Sequence, residues 1–168
     1  MLPRTIAILR ILIGVAFLAL GILQLKNPTF LYGGLLLELS EHGQPYYFYQ
    51  RHFLWRFVEL HQEFFAHAAA IGEILLGLSF LTGALVSLAS LGGAFMMVNY
   101  GLATSAGKPL MMALHVLFAL LFLALGRFGA GLTWGLDGWL ARRINEVFVL
   151  FPLRISLPGY FASADSRK

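Results

Sequence analysis

Four apolar stretches of nearly membrane length constrain this chain most: Ile6–Leu25, Phe64–Leu81, Ala84–Ala103 and Pro109–Gly126. Each approaches the ~20 residues an α-helix needs to cross ~30 Å of hydrocarbon. Within lipid a backbone must satisfy its own polar groups, and continuous apolar runs of this length do so as helices. Two ionisable residues interrupt the pattern, Arg10 in the first stretch and Glu73 in the second. A charge at that depth costs at least ~2.5–3.5 kcal/mol on insertion scales, so both should face the bundle interior. The expected fold class is all-α. It is an integral membrane four-helix bundle with interfacial amphipathic helices in the first connection and after the fourth span.

Composition agrees. The chain is 59% hydrophobic and 12% charged, against about a quarter charged for a soluble domain. A single membrane domain over residues 1–168 is expected. With no cysteine, the chain itself can carry no disulfide, thiolate-bound cluster or redox thiol. The net charge of +4 reports orientation rather than nucleic-acid binding, because the basic residues form no dense patch. Arg4, Arg127, Arg142, Arg143, Arg154, Arg167 and Lys168 lie on the side of the termini, and Lys26, Arg51, Arg56 and Lys108 on the other. The basic excess predicts cytoplasmic termini, an extracytoplasmic connection over 26–63 and a cytoplasmic helix and tail over 127–168, in a bacterial-type cytoplasmic membrane. The first stretch exceeds a signal-peptide core and lacks an A-x-A-like cleavage site, so it reads as a retained span.

The long connection carries several signals. Pro28 and Gly33-Gly34 end the first helix, Leu35–Leu39 suggests a short interfacial helix, and Gly43-Gln44-Pro45 marks a turn. From Tyr46 the chain reads as an amphipathic helix dense in aromatics, including Tyr46, Tyr49 and Trp55. With Trp134 and Trp139 at the other end, these rings should meet lipid headgroups or partner subunits. His52, Arg56, Glu59 and Glu63 share one helical face. If that helix ran straight into the second span, a polar track would continue through His67 to Glu73; a solvated face ending at Glu63 is the plainer reading.

Within the spans, Gly14 and Gly21 lie near the face of Arg10, and Ala66, Ala69, Ala70 and Gly77 lie near that of Glu73. Small residues at such spacing let membrane helices approach closely. Arg10 and Glu73 are either structural polar anchors or a proton, ion or quinone site, with Arg10 expected nearer the cytoplasm than Glu73. His67 and His115 enter from the same side and can share a depth. Two imidazoles there suit packing, a hydrogen bond to a quinone carbonyl or, least readily, axial ligation of a haem iron. Asn99 and Tyr100 are polar groups suited to bridging helices, and Leu76 serves as a lipid-facing reference for Glu73. The histidines show no recognised metal-ligand spacing.

These residues resemble a family. Arg10-x3-Gly14-x2-Phe17-x3-Gly21, followed by Lys26-Asn27-Pro28, is similar to the first helix of DoxX proteins. So is Ile71-Gly72-Glu73-Ile74-Leu75-Leu76-Gly77-Leu78 with Gly83 at the turn, and Gly126-Arg127 followed by Gly135-Leu136-Asp137 and a basic helix. The resemblance covers Thr5–Leu25 and Phe64–Arg143. One departure is Gln24, where the family often has a lysine. The resemblance implies a four-helix membrane protein among whose relatives is a small subunit of thiosulfate:quinone oxidoreductase.

The expectation is a membrane subunit of a redox assembly, quinone-associated, with lipids and other membrane subunits as partners. The alternatives are a non-catalytic accessory subunit of a respiratory or photosynthetic complex, and a small proton-coupled transporter or scaffold. No independent catalytic motif is legible, and no metal site.

Overall fold

A computed structural model describes residues 2–143 and 152–153. Its membrane helices are α1 (Leu2–Leu25), α4 (Gln62–Thr82), α5 (Val86–Thr104) and α6 (Pro109–Arg127), with shorter α2 (Leu35–His42) and α3 (Tyr47–Tyr49) in the first connection and α7 (Leu136–Arg143) after the last span. Among the described residues, four helices are long and apolar enough to cross a membrane, and the chain is an all-α, multi-pass membrane protein. The outward faces carry the apolar side chains that lipid requires: Leu23, Leu75, Phe95, Leu110 and Leu117 are all exposed.

Small residues set the pairing. α1 packs along α4, and α5 along α6. A Cβ on Gly77 would stand 2.8 Å from Leu18 Cβ, and one on Gly21 would stand 2.7 Å from the Ala70 carbonyl oxygen. In the second pair Gly93 faces Phe122 in the same way. Close backbone approach is how helices gain dispersion contact in lipid, where no hydrophobic effect drives them together. The seam between pairs is filled by Leu76, Phe80, Val86, Met97 and Phe122, with Phe17 and Phe80 edge-on to Phe122 at 5.3 and 5.5 Å between centroids. Leu76 is therefore a core residue, 4% exposed, and not the lipid-facing reference expected from sequence; its neighbour Leu75, 61% exposed, faces outward.

The connection folds over one end of the bundle. Asn27 Oδ1 accepts the N–H groups of Thr29 and Phe30, and Tyr32 and Gly33 depart from helical geometry and turn the chain into α2. Gly43–Tyr46 then runs extended beside the α5–α6 turn, where Tyr46 N–H donates to the Leu102 carbonyl and Ala106 N–H to that of Gln44, both 2.9 Å. The segment following α3, Gln50–Val58, is π-helical, and His61 (φ −135°, ψ 42°) leaves helical geometry before α4 begins. Tyr47–Thr82, 36 residues, would reach ~54 Å as one straight helix, far beyond a bilayer core. The break at His61 and the wider π turn separate the two parts. They also interrupt the track from His52 to Glu73: His52, Arg56, Glu59 and Glu63 form a solvated face, and the His67 ring is turned onto the Glu63 carbonyl at 2.7 Å.

At the other end the turn between α4 and α5 is Gly83–Leu85, so Ala84, expected inside the third span, lies outside it. α7 is described up to Arg143, and residues 144–148 of the amphipathic helix expected from Leu136 to about Phe148 lie outside the described part. Pro152 and Leu153 are half-buried, with Leu153 N–H donating to Ser87 Oγ at 3.2 Å.

Candidate functional site: two buried polar centres

Arg10 and Glu73 belong to separate centres. Arg10 is fully buried, facing the loop before α7. Its Nη2 donates to the Trp134 carbonyl at 3.1 Å, and the Asp137 carboxylate attracts it electrostatically. Asp137, 2% exposed, accepts the N–H groups of Leu85 at 2.6 Å and Val86 at 3.0 Å. Those are orphan donors at the start of α5, so the carboxylate caps that helix and complements its dipole. The Asp137 N–H in turn donates to the Gly83 carbonyl at 2.8 Å. Burial pushes the Asp137 carboxyl above its ordinary value, opposed by the two N–H groups and Arg10.

The backbone is bent to build this centre. Leu85 (φ 54°) and Trp134 (φ 53°) are left-handed without being glycine, which costs of order 1–3 kcal/mol each and persists only where the surroundings hold it. Each presents one backbone group to the lock, Leu85 its N–H and Trp134 its carbonyl. Gly83 also has positive φ, +68°, and a methyl there would overlap Arg10 Nη1. Only glycine meets both demands. Arg10 Nε and Nη1 have no hydrogen-bond partner among the described residues.

Glu73, on α4, is 2% exposed. Its Oε1 accepts the Tyr100 hydroxyl at 2.7 Å from α5 and the Gln24 amide at 3.4 Å from α1. Among the described residues no basic side chain forms an ion pair with it. Its Oε2 has no partner there, and neither does Gln24 Oε1. Glu38, on α2, is near enough for its charge to act on both Glu73 and Tyr100.

Tyr100 also lines an apolar groove of about 720 Å³ between α4 and α5. The groove runs from Ser79 and Leu85 to Phe65 and Ala103, a length of ~21 Å along α4 at 1.5 Å per residue. Its walls are Leu75, Leu88, Gly92 and Phe95; Tyr49, Asn99 and Tyr100 line its connection end, and at the other end the Ser79 hydroxyl is turned onto the Ala84 carbonyl. The Tyr49 hydroxyl donates to Asn99 Oδ1 at 2.6 Å, so Asn99 bridges α5 to α3.

The remaining sequence candidates do not converge. His67 lies edge-on to Tyr32 at 6.1 Å, whereas His115 Nδ1 lies 2.8 Å from the Met111 carbonyl and 3.3 Å from Ser105 Oγ. Their described contacts share no partner, and no group of three potential metal ligands forms among the described residues. Trp55, Trp134 and Trp139 are exposed; Tyr46 and Tyr49 are half-buried.

A DoxX family model matches residues 5–106. The chain belongs to the DoxX family. No curated protein and no solved structure matches it. The DoxX match contains Arg10, Gln24, Glu73 and Tyr100 but ends before Asp137 and Trp134, so the Glu73 centre lies wholly within it and the Arg10 centre only in part. Sequence reading noted Asp137 only inside a resembling stretch and missed it as the partner of Arg10. The signal was available: an acid opening a basic amphipathic helix, on the same side of the membrane as Arg10.

Proposed function

We propose that this DoxX-family chain is a membrane subunit of a redox assembly and that the α4–α5 groove receives a quinone. The observation that carries the reading is the position of Tyr100, which faces a long apolar groove and donates to a buried carboxyl behind it. A membrane quinone is an apolar tail with a head that accepts hydrogen bonds. The groove fits the tail. At its connection end the Tyr49 and Tyr100 hydroxyls already donate to Asn99 Oδ1 and Glu73. The donor offered to the head is the second N–H of the Asn99 amide, whose first goes to the Phe95 carbonyl. Bound quinone supplies paired electron and proton carriage. The chain orients the head and offers Glu73 as a nearby proton-exchanging carboxyl, with electrons exchanged by partner subunits. The basic excess on the side of the termini supports cytoplasmic termini, in keeping with a bacterial-type inner membrane.

The test is the quinone content of protein purified in native-lipid discs. The reading expects quinone well above its share of the extracted lipid, falling severalfold in Leu88→Trp, which fills the groove, and in Tyr100→Phe. Quinone at the bulk-lipid ratio in all three would overturn it.

A second reading, a non-catalytic accessory subunit of a respiratory or photosynthetic complex, is favoured by the exposed aromatic surface of Tyr47, Phe48, Trp55 and Phe57. Intact turnover of an assembled complex carrying Tyr100→Phe would support it over the first.

A further inference from the structure

The polar wall of α2 extends the Glu73 centre toward water. α2 separates two cavities. Leu35 and Leu39 line the α4–α5 groove, while Leu37, Glu38, Glu41 and His42 line a second cavity of about 230 Å³ with Asn27 and Thr29. Glu38 is half-buried, and Glu41 and His42 are exposed. α2 also packs against α4, which carries Glu73. Glu73 lines neither cavity, and its Oε2 is unpartnered beside Gln24, whose Oε1 is also unpartnered. Two orphan acceptors side by side on a fully buried carboxyl–amide pair are an expensive arrangement in a low dielectric. One proton on the carboxyl converts one acceptor into a donor and removes the mismatch.

We propose that Glu73 is a proton-exchanging acid reached from the connection side of the membrane through Glu38. The step is a net transfer between two carboxyls that make no direct hydrogen bond: a proton leaves the Glu38 carboxyl along intervening water, an O–H bond forms on the Glu73 carboxylate, and Glu38 is left as the anion to be reprotonated by water in its cavity. Nothing is oxidised or reduced. The groups facing Glu73 are Gln24 from α1, Tyr100 from α5 and, through its charge, Glu38 from α2. Gln24 holds the carboxyl without neutralising it, which a lysine there would do. The Tyr100 hydroxyl joins the acid to the groove, so the route runs from the outer cavity to the groove wall. This goes beyond the quinone reading and stands without quinone bound.

The experiment is infrared spectroscopy of the full chain in lipid discs during exchange from H2O into D2O. A carboxylic-acid C=O band, absent from Glu73→Gln, should shift on deuteration. Glu38→Gln should slow that shift by about a hundredfold, the low end of the scale for a lost proton-transfer group, and Glu41→Gln should leave it unchanged. Quinone content should be the same in Glu38→Gln as in the unaltered chain, so this result and the quinone result can fail separately. The absence of a Glu73 band throughout the physiological pH range, or an unaltered rate in Glu38→Gln, would overturn the proposal. Should Glu38→Gln lose its fold by the amide band, Glu38→Asp, which shortens the reach, must slow the shift; an unaltered rate there overturns it equally.

Discussion

Arg10 and Glu73 are both buried at membrane depth, yet they are held in opposite ways. Arg10 lies in the field of an opposite charge, Asp137, and donates to the Trp134 carbonyl, with Nε and Nη1 unpartnered among the described residues. Left-handed Trp134 presents that carbonyl, and left-handed Leu85 presents its N–H to Asp137. Glu73 meets only neutral donors from Tyr100 and Gln24, keeps one oxygen unpartnered and stands behind a groove wall. The first centre joins α1, the α4–α5 turn and α7 into one end of the bundle. The second leaves capacity to bind or move something. A buried charge balanced by an opposite one nearby, as Arg10 is by Asp137, serves structure; a carboxyl at the same depth with no opposite charge beside it among the described residues is costly enough to need another reason for being there.

The largest expected effect breaks the first centre. Arg10→Ala leaves Asp137 buried without its counter-charge and should cost about 3–5 kcal/mol, measured by unfolding in lipid discs or mixed micelles. Arg10→Met combined with Asp137→Asn, whose amide oxygen can still accept from the start of α5, should recover part of that loss. If the double variant is as unstable as the single, the attraction is not what holds this end together.

Next in size is Gly83→Ala, which forces a side chain into left-handed geometry and onto Arg10. A cost of about 2 kcal/mol or more is expected. It should be smaller in an Arg10→Ala background, because the overlap with Arg10 is relieved while the left-handed strain and the 2.5 Å approach to Gly135 Cα remain.

At the second centre Glu73→Gln should change stability by less than about 1 kcal/mol, since the amide oxygen still accepts from Tyr100. Glu73→Ala should cost about 1–3 kcal/mol because two buried donors lose their acceptor. Similar large losses for Gln and Ala would mean that this carboxylate, too, is structural.

The smallest effects concern the surface. Trp55 and Trp139 are half-exposed, and truncation to Ala should leave the chain's own fold within about 0.5 kcal/mol. If they are partner hot spots, co-purification should weaken by about 2 kcal/mol. Tyr49 cannot serve in the same test, because its hydroxyl is committed to Asn99.

The bundle was legible because lipid leaves so few solutions: runs such as Pro109–Gly126, without a charge, have one structure available. Burial of Arg10 followed from the same cost. The partners did not follow. Asp137 lies 127 residues from Arg10 by their numbering, in a segment where an acid reads as an ordinary helix-start residue. Gln24 and Tyr100 are common residue types whose meaning depends on the rotation of α1 and α5 about their axes. A continuous helix from Tyr46 was a reasonable reading of the aromatics, but the π turns over Gln50–Val58 and the break at His61 belong to tertiary packing over Phe30, Leu31 and Leu35.

The central claim is that one buried charge holds the fold and the other serves the function. It is tested most directly by Arg10→Gln and Glu73→Gln side by side in lipid discs, reading unfolding free energy and bound quinone per folded chain. The account predicts a large loss of stability with unaltered quinone for Arg10→Gln, and near-normal stability with altered quinone for Glu73→Gln. Equal destabilisation by the two, with quinone following the folded fraction in both, would contradict it.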